Sequence, residues 1–122
     1  MAKTAGIIGT FRITHMDEWD QEFVNAEVPG FIRFDSKTMG EFHFGYVHGQ
    51  MDVEQTERDG KPAVEWTWDG NDEMDEASGR GWAVLQDDGT LKGKIVFHGG
   101  DSSGFTAAKA KAKKSGRKET GS

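Results

Sequence analysis

The 122-residue chain is 34% hydrophobic, holds eight Phe and four Trp but no Cys, and has a net charge of −6. A length of this order supports one domain with one modest aromatic core. The lack of cysteine excludes a disulfide framework, a thiolate nucleophile and Cys-based zinc or iron–sulfur sites. No apolar run reaches the ~20 residues that span a bilayer, and the first twelve residues lack the apolar centre of a secretory signal, so the expectation is a cytoplasmic protein with no membrane partner.

Charge is distributed unevenly. Residues 1 to 105 carry nine Lys and Arg against twenty Asp and Glu, a balance of −11, whereas 106 to 122 carry six basic residues against Glu119, a balance of +5. Seventeen Gly fit a chain of many tight turns better than a chain of helices.

In chain order, residues 7 to 15 alternate so that Ile7, Phe11, Ile13 and His15 share one face, the pattern of a half-buried strand. Met16, Trp19 and Phe23 then recur at helical spacing, which predicts a short helix near 16 to 25 packed across one mouth or edge of a sheet; Pro29 and Gly30 end it. Residues 31 to 36 form a second strand. Residues 41 to 55 read as a third, with Phe42, Phe44, Tyr46 and His48 on one face and a change of parity at Met51 and Val53, which a bulge or bend at Gly49 would absorb. Asp59-Gly60 is a hairpin signal, followed by Val64, Trp66 and Trp68 in alternation. An acidic loop from 69 to 80 leads to a strand at 81 to 86, a turn at Asp87-Asp88-Gly89, and a strand from 90 to 98 with Leu91, Gly93, Ile95 and Phe97 inward.

The fold class expected is mainly β: a small antiparallel meander closing into a barrel, or else a two-sheet sandwich, with one short helix. The barrel is preferred because closure removes exposed edges. The single β domain is expected to span 1 to 105, and 106 to 122 to be a basic, disordered tail, since it has no large apolar side chain to bury.

Five constellations bear on function. Asp69, Asn71, Asp72, Glu73, Asp75 and Glu76 resemble the opening of a calcium loop, but Met74 stands where that loop needs Gly and Arg80 where it needs a bidentate Glu. Arg80, between Gly79 and Gly81, offers an accessible guanidinium fork. Gly100-Asp101-Ser102-Ser103-Gly104 matches the string of a serine-hydrolase elbow without the strand and helix that an elbow requires, so a Gly-rich turn is expected instead. Of the four His, His15 and His48 fall on inward faces and His43 and His98 on the opposite face, with no metal-ligand spacing; core histidines are expected, and His98 is the weak catalytic candidate. Trp68 and Trp82 are placed at the rim of the barrel, flanking the acidic loop. The basic run at 109 to 118 lacks aromatic interleaving, which limits nucleic-acid contact to weak, non-specific binding.

The segments FGYVHGQMDV, EWTWDGNDEMDEASGRGWAV and FHGGDSSGF together resemble a family of small, uncharacterised bacterial proteins. The resemblance covers residues 9 to 105 and implies a bacterial origin; it carries over no activity, cofactor or catalytic residue.

The functional expectation is a non-enzymatic barrel module that binds a small polar ligand or a protein partner through Trp68, Asp72, Asp75, Arg80, Trp82, Asp101 and Ser102, with no metal and no cofactor. One alternative is a small hydrolase or isomerase using His98 with a carboxylate. The other is an acidic surface, decoy-like, that engages a basic partner.

Overall fold

In the computed structural model, which describes residues 7–110, the chain forms eight antiparallel strands and one helical turn. These are β1 (Gly9–Met16), α1 (Gln21–Val24), β2 (Phe31–Phe34), β3 (Met39–Phe44), β4 (Val47–Arg58), β5 (Lys61–Asp72), β6 (Asp75–Leu85), β7 (Leu91–Phe97) and β8 (Ser102–Lys109). Each strand pairs with the next, and β8 pairs back onto β1, so the meander is a closed barrel without a free edge.

Turn chemistry explains the connections that the sequence announces. Asp59 and Gly60 both take positive φ, 52° and 79°, as the two-residue hairpin between Arg58 and Lys61 requires. Asp88 accepts hydrogen bonds from the Thr90 backbone N–H and hydroxyl, closing the β6–β7 turn. At the head of α1, the Asp20 side chain accepts from the Phe23 N–H and caps the turn.

Four expectations need correction. Residues 41 to 55 are two strands rather than one bulged strand. A tight turn at Gly45–Tyr46 brings Phe44 opposite Val47, and the chain reversal, not a bulge at Gly49, produces the change of parity. The span from 69 to 80 is not a loop, because β5 runs to Asp72 and β6 starts at Asp75, leaving Glu73 and Met74 as the turn. The segment after Asp101 is also a strand: β8 continues four residues past the boundary at 105 and lays Phe105 and Ala107 in the core. Finally, His15 and His48 do not face inward. A register shift between Ile13 and His15 turns Met16 in and His15 out, and the Gly45–Tyr46 turn resets β4 so that Val47, Gly49, Met51 and Val53 are the inward set. The tail from 111 to 122 lies outside the described residues.

The barrel is filled. Phe11, Ile13, Ile32, Phe34, Phe42, Phe44, Met51, Val53, Trp66, Trp68, Leu91, Ile95 and Phe105 form one continuous core. Its widest side chains fit because glycines face them: Gly81 lies opposite Trp66 and Gly79 opposite Trp68, and each indole spreads over bare backbone of β6. The motifs EWTWDG and GRGW are thus two halves of one packing unit.

One end of the barrel is closed by α1, which leaves together with the turns at Gly45–Tyr46, Glu73–Met74 and 98 to 101. The Gly45 N–H bonds to the Val24 carbonyl, and the Phe23 ring occupies the space beside Gly45. At the other end the Gln55 side chain accepts from the Ile7 N–H and donates to the Lys37 carbonyl, and Lys109 sits 4.9 Å from the centre of the Phe11 ring.

Candidate functional site

Among the described residues the barrel interior is occupied by the side chains of the core, so the candidate sites are sought on its outside and at its ends. Trp68 shows why. It is 3% exposed, it meets Phe42 and Phe97 edge to face, and its Nε1 donates to the Val96 carbonyl at 3.2 Å. The rim position expected for it is therefore wrong: period-2 alternation specifies a face, and the inward face of β5 is still core at Trp68.

The remaining candidates, Ser102 apart, divide between two places. At the α1 end, Asp72, Asp75, His98 and Asp101 line one recess of about 340 Å³, together with Glu76 and Ser78. Its floor is aromatic. Trp19, Phe23 and Phe97 are half-buried there; Trp19 stacks on Phe23 with centroids 5.9 Å apart and meets Phe97 edge to face at 6.1 Å. No Lys or Arg lines the recess, and among the described residues none of these carboxylates makes an ion pair. His98 is exposed at the lip, and its backbone N–H bonds to the Ser78 carbonyl.

Arg80 and Trp82 lie elsewhere, on the outer wall. Outward positions of β4, β5 and β6 line a shallow groove with Asp52, Glu54, Arg58, Glu65, Thr67, Arg80 and Trp82. Arg58 stacks over the Trp82 ring at 4.4 Å and reaches Glu65 at 3.7 Å. Register places Glu54 directly opposite Glu65, two like charges side by side, an arrangement that costs stability. Ser102 faces out from β8 opposite Val96, away from both places. Its neighbour Ser103 is 2% exposed; its hydroxyl accepts from the Glu18 N–H and donates to the Gly104 carbonyl, tying the β1–α1 connection to β8.

None of the four histidines is buried, which corrects the expectation of core histidines. His43 and His48 are cross-strand neighbours on the outer wall, with rings stacked 5.3 Å apart, and each has its own carboxylate: Glu27 at 3.0 Å for His43 and Glu41 at 3.1 Å for His48. Glu41 also pairs with Arg33, which reaches Asp35 at 2.6 Å. The hydrogen bond to Asp35 raises the Arg33 guanidinium above its ordinary value against the opposing cost of desolvation, with Glu41 adding to the rise. This network lines neither the recess at the α1 end nor the groove beside Arg80. Among the described residues no group of three or more His, Asp or Glu side chains is placed to hold a metal ion, and no helix is long and apolar enough to cross a membrane.

Sequence reasoning missed the aromatic floor. The helical spacing of Trp19 and Phe23 signals packing, but the half-exposure that makes them a shelf depends on how α1 lies over the barrel. Arg58 on Trp82 carries no sequence signal either, since the two are brought together only by the register of β4 and β6 on either side of β5.

No protein-family model, no curated protein and no solved structure matches the chain.

Proposed function

We propose that the protein is a non-enzymatic binding module that engages a basic protein partner through the acidic outer face of β4–β6 and the adjoining α1 end. The observation that carries this reading is the pairing of a side-chain-filled barrel with a wall of unpaired carboxylates. Asp52, Glu54 and Asp69 project outward along β4 and β5, and among the described residues none has an ion-pair partner. Successive outward side chains on a strand are roughly 6.8 Å apart, the same repeat as alternate side chains of an extended peptide. Arg58 already reaches Glu65 at 3.7 Å, whereas Glu54, directly across from Glu65, has no ion-pair partner among the described residues and is open to a cation from outside.

Electrostatics of this kind set the association rate and its salt dependence more than the raw affinity. Acid–base catalysis would need His98 within hydrogen-bond reach of a carboxylate; among the described residues no such bond joins His98 to Asp101 or to any other acid. The test is to titrate the full-length protein with a labelled peptide of alternating lysine and alanine, at rising salt. Saturable binding that weakens with salt and falls in an Asp52→Asn/Glu54→Gln/Asp69→Asn variant is expected. Binding indifferent to those three substitutions and to salt overturns the reading.

A further inference from the structure

Building on that reading of the protein as a binder of basic partners, we infer that the recess at the α1 end is an anchor pocket for a single Lys or Arg side chain on the partner's extended segment. Three features select that occupant. The recess, about 340 Å³, has room for a side chain and not for a helix. Its floor of Trp19, Phe23 and Phe97 is suited to a methylene stem, which long cationic side chains lay along apolar surface while the charged head stays polar. Carboxylates dominate its rim: Asp72 and Asp75 flank the β5–β6 turn, Asp101 lies on the β7–β8 turn, and no lysine or arginine lines the recess beside Ser78 and His98. The ring faces add attraction for the same charge.

The recess is also continuous with the wall. Glu76, Ser78 and His98 line both it and a second groove that runs down past Asp69 and Gln50. That groove adjoins a third, lined by Asp69, Thr67 and Asp52, and so leads to the carboxylates of the wall. A ligand that fills the anchor pocket and follows this track is a peptide rather than an isolated small cation.

The experiment compares two triple variants of the full-length protein that each remove three charges: Asp72→Asn/Asp75→Asn/Asp101→Asn at the rim, and Asp52→Asn/Glu54→Gln/Asp69→Asn on the wall. All six positions are exposed and the replacements nearly isosteric, so folding is retained and is checked by circular dichroism. The probe is the same labelled lysine–alanine peptide, with spermidine as competitor. An anchor pocket predicts that the rim variant loses roughly tenfold or more in affinity and the wall variant distinctly less, and that Trp19→Leu weakens the peptide as well. Equal loss in both variants, or greater loss on the wall, overturns the anchor and leaves the basic-partner reading standing. Spermidine displacing the peptide at equal concentration overturns the peptide as occupant and assigns the recess to a free polyamine. Absence of saturable binding by the unmodified protein overturns both proposals together.

Discussion

Gly81 stands directly across the β5–β6 ladder from Trp66, and the indole occupies the space that a β-carbon on Gly81 would need. The nearest ring atoms would lie 2.5 Å from such a carbon, with the Lys94 carbonyl at 2.7 Å. Gly79 repeats the relationship two residues earlier against Trp68, where an added carbon would run into the Val96 carbonyl.

Gly79→Ala and Gly81→Ala are therefore expected to destabilise the barrel by about 1–3 kcal/mol or more each, through overpacking against backbone that cannot give way. Urea unfolding followed by tryptophan fluorescence measures this. A loss below about 0.5 kcal/mol at both positions would show that β6 shifts freely.

The two inner tryptophans differ in one respect. Trp68 Nε1 donates to the Val96 carbonyl, whereas Trp66 Nε1 is buried with no partner among the described residues. Trp→Phe at either position removes similar volume, but at 66 it also removes an unsatisfied donor. Trp68→Phe should thus cost about 1–2 kcal/mol more than Trp66→Phe. Equal costs in denaturant unfolding would indicate that the Trp66 donor is satisfied in solution.

Glu73, at the tip of the β5–β6 hairpin, has φ 58°, a region that suits glycine. Its N–H bonds to the Tyr46 carbonyl, a contact that glycine keeps. Glu73→Gly should raise stability by up to about 1 kcal/mol as the strain is relieved, offset in part by the greater freedom of the unfolded chain. The midpoint of thermal unfolding reads the sign.

At the β6–β7 turn, the hydrogen bonds from Thr90 hold the Asp88 carboxyl below its ordinary value. A carboxyl depressed in the folded state contributes stability that is present above the unfolded-state value and is lost as pH falls through the folded one. The protection of the Thr90 amide against exchange, taken relative to the intrinsic rate at each pH, should fall as the solution is acidified through that window. In Asp88→Asn, which keeps the acceptor oxygen, this acid dependence should disappear.

Much of the fold was legible in the residues, and the failures have identifiable causes. Asp59-Gly60 and Gly89 marked their turns because positive φ leaves a compositional trace. Gly45–Tyr46 carried a weaker one, so two strands were read as one. The span from 69 to 80 reads as a loop because the tip of that hairpin stands clear of the core: from Asp69 to Glu76 every residue but half-buried Gly70 is exposed, and without a buried face there is no alternation to see. β8 was hidden by its small side chains, since Thr106, Ala107 and Ala108 resemble the start of the basic tail and become a strand only when β1 and β7 offer their backbones. For the site, sequence proximity sufficed to group Asp72 with Asp75, and the turn after β7 brought His98 and Asp101 to the same end. It wrongly joined Arg80 and Trp82 to them, because a strand of this length carries its middle residues well down the wall.

Closure through β8 also dictates the order in which this molecule can be made. Phe11 pairs with Lys109, so β1 leaves the ribosome about a hundred residues before its last neighbour, β8. Until Ser102–Lys109 emerges, the nascent sheet has two open edges and lacks Phe105 and Ala107 from its interior, while β4, β5 and β6 can zip up as long local hairpins. Synthesis thus yields a curled, unsealed sheet first and a barrel only once β8 has emerged, and the waiting edges expose the nascent chain to mispairing with its neighbours.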